Sequence, residues 1–312
     1  MAERALITGA AGFVGAALCR RLLDDGSDVT ALVRPGRAEA PRLKPMRGDL
    51  RIVEADLLDA DAVARAVRET RPDAVYHLAA AGVVDRSDDR AVLRGNVETT
   101  YNLADALLRH PARRLVHVAS CFEYGEGTAM AEDHPLRPTN VYGAAKAGAH
   151  LLLQSLRRGH GLPVISLRLF TPYGPWMPPG TLIAATIAKA LAGSTIATTE
   201  GRQQRDFVYI DDVAAGIAAA ADAPIGNDME AINLASGIGT PIRDVVETIL
   251  RLVGGRARAE FGALPYRDGE MWVQSGDRSR AETHLNWAPR VDLEDGLGRT
   301  IDWFRAQQRA AA

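Results

Sequence analysis

Cysteine is almost absent from this chain, with two residues, Cys19 and Cys121, in 312. That excludes a disulfide framework and a CxxC metal knuckle, and it fits a reducing compartment. No charge sign prevails: Lys and Arg number 37 against 39 Asp and Glu, a net charge of −2. The basic stripe of a nucleic-acid binder and the polybasic patch of a membrane-surface protein are therefore both missing. No run reaches the ~18 consecutive apolar residues of a membrane span, and the most apolar helix-like stretch, Leu182 to Leu191, carries Lys189. The opening MAERALITGAAGFVG enters a strand and a glycine loop at once, with too short an apolar stretch for a secretory signal. A cytoplasmic protein is expected. The seven histidines are dispersed with no HExxH, and no GxSxG elbow appears; no metal and no serine nucleophile are expected. What remains is ordinary globular composition, 47% hydrophobic and 24% charged, in a chain about twice the usual domain length of ~150 residues.

The first 170 residues alternate between two periods. Short apolar and β-branched runs predict strands at Ala5–Thr8, Val29–Val33, Ile52–Glu54, Ala74–Leu78, Leu115–Ala119 and Val164–Leu169. Helix-length segments lie between them, including Gly15–Asp25, Ala60–Glu69, Asn96–Arg109 and Val141–Arg158. Strands alternating with helices predict an α/β fold with a doubly wound parallel sheet. After Arg168 the regularity weakens. A Pro/Gly-rich loop, TPYGPWMPPG at 171–180, leads to a helix at 181–192, a strand at 207–210 and a helix at 211–221. Further helices are expected at Pro241–Val253 and Leu293–Gln308. The expected division is a dinucleotide-binding domain over 1–170 plus about 205–235 and a smaller mixed lobe over about 171–204 plus 236–312.

Residues 8–15 read TGAAGFVG, directly after a strand and directly before a helix. Gly9 allows a tight turn, Gly12 lets the backbone approach a pyrophosphate, and Gly15 lets the helix sit close on the strand. The helix start at Phe13 and Val14 supplies free N–H groups to the phosphates. The GxxGxxG spacing and the TGxxGF wording resemble the extended short-chain dehydrogenase/reductases. The second strand ends in Val33-Arg34. A carboxylate there would bond a ribose diol, whereas Arg34, with Arg37 nearby, would attract a 2′-phosphate. NADP(H) is expected over NAD(H). His77-Leu78-Ala79-Ala80 ends the fourth strand with small residues that would let a cofactor lie against the backbone, and His77 reads as a packed strand-end residue. The resemblance adds Asp56 and Leu57 as adenine contacts and Asn96 as a residue near the cofactor.

Tyr142 and Lys146 form YGAAK, and at a spacing of four they share one helix face. A tyrosine with a pKa of ~10 is a poor base at neutral pH. An ammonium beside it, plus the positive charge of an oxidised nicotinamide, would favour the phenolate, letting it exchange a proton with a sugar hydroxyl while hydride moves at the same carbon. Ser120, ending the fifth strand, can bond the substrate oxygen and Tyr142; it matches the third catalytic member in the resembled family. Sugar-nucleotide 4,6-dehydratases carry an acid pair just after that hydroxyl. Cys121-Phe122 stand there instead, so 4,6-dehydration is not expected. Glu123 is one place late and reads as structural, and Cys121 as a small packed residue.

The second half sharpens the resemblance. RLFTPYGP (168–175), GRQQRDFVYIDDVA (201–214), PYRDGE (265–270) and SGDRSRAETHLNWAPRVDLEDGL (275–297) look like the nucleotide-sugar epimerase/dehydratase branch. The resemblance implies that Arg205 and Arg267 clamp a substrate diphosphate, two anionic groups suited to guanidinium forks. Thr171 stands where a substrate-binding asparagine is often found. The implied activity is oxidoreduction on a nucleotide-linked hexose at C4. Reduction of a 4-keto sugar by NADPH comes first, a 4-epimerase with retained cofactor second, and a non-catalytic NADP-binding sensor third. The resemblance also implies a homodimer, with the helices from Asn96 and Val141 paired into a four-helix bundle.

Overall fold

The computed structural model describes residues 3–82, 88–224, 226 and 229–311. The chain begins with β1 (Arg4–Thr8), α1 (Phe13–Asp24), β2 (Asp28–Val33), β3 (Arg51–Glu54), α2 (Ala60–Thr70) and β4 (Ala74–His77). Next come α3 (Asp89–Leu93), a π turn (Arg94–Glu98) and α4 (Thr99–Arg109), followed by β5 (Arg114–Ser120), β6 (Gly127–Met130), α5 (Val141–His160) and β7 (Val164–Leu169). The second half runs β8 (Thr171–Tyr173), α6 (Leu182–Leu191), β9 (Thr195–Thr198), β10 (Gln204–Tyr209), α7 (Ile210–Ala219) and β11 (Ala231–Leu234). It ends with β12 (Gly239–Pro241), α8 (Ile242–Val253), β13 (Arg258–Phe261), β14 (Val273–Gly276), α9 (Ser279–Leu285) and α10 (Leu293–Ala311).

Seven strands form one parallel sheet in the order β11-β7-β5-β4-β1-β2-β3. Its strands are apolar on both faces because both are covered. On β1, Ile7 joins the core under α1, α7 and α9 with Cys19, Ile217 and Leu285. Its neighbour Leu6 joins the opposite core with Val63 of α2, Leu103 of α4 and Leu153 of α5. From β1 the chain winds outward to β3, then returns to β4 on the other side of β1. A crevice opens at such a reversal, beyond the carboxyl ends of the strands.

The second sheet runs β12-β10-β14-β6, with β8 paired to β10. A third core, with Ile183 and Ile187 of α6, Phe207 and Tyr209 of β10, Val245 and Ile249 of α8 and Leu297 of α10, packs beside it. This sheet draws strands from both parts of the expected division. The strand at 204–209 pairs in the second sheet, so from the 205–235 segment only β11 enters the first. Gly127–Met130, inside the first 170 residues, pairs with β14. A further pair, β9 with β13, was not anticipated from such short runs. Among the described residues no helix is long and apolar enough to cross a membrane.

Candidate active site

The glycine loop is shaped by what a side chain would strike. Gly9 sits at φ +69°, and a Cβ there would lie 2.6 Å from the Ala79 amide nitrogen. A Cβ at Gly15 would lie 2.2 Å from the Gly9 carbonyl oxygen. These two positions press the loop against the segment after β4 and press α1 against the loop. Gly12 differs: it is exposed, and its missing Cβ would meet only the Gly9 oxygen, at 3.0 Å. The space above it is open. No side chain caps α1, so its first turn, from Phe13 and Val14, keeps N–H groups for an anion. This cradle fits a dinucleotide pyrophosphate.

The other expected cofactor residues line the same end of the sheet. β1 pairs with β4 and β4 with β5, all parallel, so the glycine loop, Leu78–Ala80 and Ser120 leave the sheet side by side. Leu78 and Ala79 are half-buried and Ala80 is exposed. Asp56 accepts the Leu58 amide at 3.0 Å, and the Leu57 carbonyl accepts Asn102 Nδ2 at 2.9 Å. Arg34 and Arg37 are exposed just past β2, and neither enters an ion pair among the described residues. Asn96 lies in the π turn. Its Nδ2 donates to the carbonyls of Ala81 (2.9 Å) and Val92 (2.7 Å), while its buried Oδ1 has no partner in the protein. That orphan acceptor suits a donor brought by a ligand.

Ser120, Tyr142 and Lys146 converge through the start of α5. Asn140 caps the helix by accepting the Gly143 amide at 2.9 Å. A Cβ at Gly143 would come 2.4 Å from the Phe122 oxygen, so only glycine lets the first turn lie on the segment after Ser120. The Phe122 ring meets Tyr142 edge-on, centroids 5.9 Å apart. Tyr142 is half-buried. Burial pushes its phenol well above the ordinary tyrosine range, and the nearby Ser120 hydroxyl partly opposes that. Lys146 is buried, and its Nζ donates to the Val118 carbonyl at 2.6 Å. Burial pulls its pKa down to about 8, with Glu123 opposing. Lys146 Nζ is thus turned to a backbone carbonyl, while burial favours the neutral phenol of Tyr142.

Glu123 has a structural task. It is fully buried, accepts the Ser120 amide at 3.1 Å and pairs with Arg168 Nε at 2.9 Å. Arg168 also donates to the Tyr124 hydroxyl at 2.8 Å, which donates to Asn233 Oδ1 at 2.8 Å. Burial raises the Glu123 carboxyl, and Arg168 opposes it. Burial also raises the Cys121 thiol, leaving it a protonated packed residue. His77 is packed as expected: its ring nitrogens meet Thr8 Oγ1 at 2.7 Å and Thr100 Oγ1 at 2.9 Å, and burial lowers its pKa to about 3. Missed from the sequence are His117 and His150, joined through Ser166 Oγ at 3.2 and 2.9 Å. Also missed is Gln274, whose Nε2 donates to the Gly125 carbonyl at 3.0 Å while its buried Oε1 is unpartnered. The available signals were a histidine inside the apolar strand β5 for His117 and, for His150, a polar residue four positions after Lys146 on α5.

At the substrate end, Thr171 begins β8 opposite Phe207. Arg205 is already engaged, donating to Glu270 at 3.0 Å and to the carbonyls of Gln204 and Met271 at 2.8 Å each. Arg267 is exposed on the loop after β13, and its carbonyl accepts the Glu270 amide at 3.1 Å. The two arginines thus meet through Glu270 rather than face to face. Among the described residues no cluster of three or more His, Cys, Asp or Glu could hold a metal ion.

The profile of the NAD dependent epimerase/dehydratase family matches residues 5–235. A UDP-glucose 4-epimerase of Mycolicibacterium smegmatis is 33% identical over 97% of this chain and 98% of its own length. A dTDP-glucose 4,6-dehydratase of Streptomyces griseus is 34% identical over 97% of this chain and 94% of its own. Among solved structures, the dTDP-glucose 4,6-dehydratase DesIV of Streptomyces venezuelae, with NAD bound, superposes with a TM-score of 0.86 at 30% identity, over 98% of each chain.

Proposed function

Because the chain belongs to the NAD dependent epimerase/dehydratase family, we propose that it reduces the 4-keto group of a nucleotide-linked (deoxy)sugar with NADPH. The observation that carries this reading is the first turn of α5, bearing Tyr142 and Lys146, packed on the segment that follows Ser120; burial favours the neutral phenol of Tyr142. A phenol that keeps its proton is an acid, the group a ketone needs when it becomes an alcohol. A reduced nicotinamide is uncharged and leaves that phenol protonated.

When bound, the nicotinamide supplies a hydride to the carbonyl carbon. Tyr142 gives its proton to the carbonyl oxygen, so C=O becomes CH–OH and the tyrosine is left to recover a proton from solvent. Ser120 donates to the same oxygen and orients it. Its Oγ already accepts the Phe122 amide at 3.3 Å, which leaves the hydroxyl hydrogen to point outward. Lys146, whose Nζ donates to the Val118 carbonyl, would hold the nicotinamide ribose. Arg34 and Arg37 receive the 2′-phosphate, and Arg267, with Arg205 once it parts from Glu270, receives the substrate diphosphate. Elimination of water lacks an acid pair, since Cys121 is a buried thiol, Phe122 is apolar and Glu123 is held by Arg168.

A second reading, a 4-epimerase with retained cofactor, is favoured by the full-length likeness to the mycobacterial UDP-glucose 4-epimerase. One assay separates them: NADPH oxidation against a panel of nucleotide 4-keto and 4-hydroxy sugars, with products read by NMR. Stoichiometric NADPH consumption on a 4-keto sugar is expected. Conversion of a 4-hydroxy sugar with no added cofactor would replace the reductase by the epimerase. In either direction Tyr142→Phe loses at least ~10²-fold in kcat while still binding cofactor; unchanged turnover would exclude the proposed chemistry.

A further inference from the structure

Trp176 stands at φ +68°, a left-handed backbone that strains a bulky side chain. Such strain persists only where the surroundings impose it. Here one guanidinium grips the residue: Arg42 donates to the Trp176 carbonyl through Nε at 2.9 Å and Nη2 at 2.8 Å. The Trp176 ring meets Trp303 of α10, centroids 5.2 Å apart. Three distant pieces of chain thus meet at one strained residue, namely the segment between β2 and β3, the 171–180 loop and the last helix. Beneath it lies a cavity of about 100 Å³ bordered by Phe13, Pro175 and Tyr209, room for the loop to shift.

The segment carrying Arg42 also carries Arg34 and Arg37, and short turns tie it together. Successive turns link it, Arg37 N to Arg34 O at 3.0 Å, Ala40 N to Arg37 O at 3.1 Å and Leu43 N to Ala40 O at 2.9 Å. Ala40, Leu43 and Met46 are buried and anchor it. A displacement at Arg37 therefore reaches Arg42 instead of being absorbed in slack chain. The link is also electrostatic, because Arg37 repels the Arg42 charge that burial already disfavours. A phosphate dianion on Arg34 and Arg37 would remove that repulsion.

We propose that Arg42 is a positioning residue that couples a 2′-phosphate at Arg34 and Arg37 to the conformation of the 171–180 loop, by way of the Trp176 carbonyl. The coupling rests on the NADP(H) reading above. It places cofactor recognition upstream of substrate binding, since the same loop begins with Thr171.

The test uses the whole chain, 2′,5′-ADP as probe and 5′-AMP as the control without a 2′-phosphate. Tryptophan emission is followed while calorimetry records binding. In the wild type, 2′,5′-ADP shifts the emission and 5′-AMP does not, and Trp176→Phe loses the shift. Arg42→Met binds 2′,5′-ADP but loses the shift, and Arg42→Lys, with one donor restored, recovers part of it; circular dichroism verifies that both are folded. A shift that survives in Arg42→Met, or in Trp176→Phe, overturns the coupling. So does a wild type that binds the probe without any shift, and in that case the cofactor reading stands. A wild type that does not bind 2′,5′-ADP removes the NADP(H) reading and the coupling with it.

Discussion

Lys146 is held out of water for a single bond to a backbone carbonyl, and that burial sets a pH window. Its pKa is lowered from 10.5 to about 8, so the folded protein binds fewer protons than the unfolded chain between those values. Stability therefore rises with pH across that window, and the full cost of the buried ammonium is present below pH 8. Under the proposed reaction function runs the other way, because the charge that would hold the nicotinamide ribose is lost as pH climbs. The kcat/KM profile is expected to fall above about pH 8, and Lys146→Met should lower the rate and flatten that limb; a wild-type profile level to pH 10 would sink this role. Glu123 gives a stability prediction. Glu123→Gln leaves Arg168 charged and buried without its carboxylate, at a cost of about 3–5 kcal/mol, visible as a lower urea midpoint. An unchanged midpoint would mean the pair is neutral to the fold. Tyr142, Lys146 and Ser120 were legible in the sequence because helix spacing and strand ends fix them locally. The Glu123–Arg168 pair was not, since its members lie 45 positions apart and nothing in either neighbourhood announces the other.

At the level of elements, the most legible piece was β1–loop–α1, where three glycines each answer one contact. Gly15→Ala forces a methyl to 2.2 Å from a backbone oxygen, so α1 must slide off the loop. A loss of ~1–3 kcal/mol in stability is expected, together with a rise in cofactor Kd of at least tenfold by calorimetry; a variant that binds as tightly as wild type would contradict the packing argument. Helix α5 was legible for a similar reason. Tyr142, Lys146, His150 and Gln154 recur at every fourth position, and the last three are buried, one polar stripe turned inward along the sheet. The parallel strands of the first sheet stood out as continuous apolar runs. The strands of the second sheet did not: β8 and β12 have three residues each, and β6 contains Gly127 and an alanine at φ +46°. Their pairing is decided by distant partners rather than by local preference.

For the molecule as a whole, Leu93, Tyr101 and Leu151 are 46%, 48% and 56% exposed on α3, α4 and α5, helices that pack on one another at one flank of the sheet. Homodimerisation through that flank is the proposal. Light scattering should give twice the chain mass, and Leu151→Glu should give the monomer; a monomeric wild type would remove the idea. The second sheet has a different consequence, one of timing. The seven parallel strands are all present once residue 234 has left the ribosome, while β6 stays an open edge. Its partner β14 is made last of all the strands, and Ala129 bonds Ser275 only across 146 positions. A nascent chain therefore carries a finished nucleotide cradle and an unfinished opposite wall for about a seventh of its synthesis, residues 234 to 276 of 312, and the cofactor can be aboard before there is anywhere for a sugar to sit.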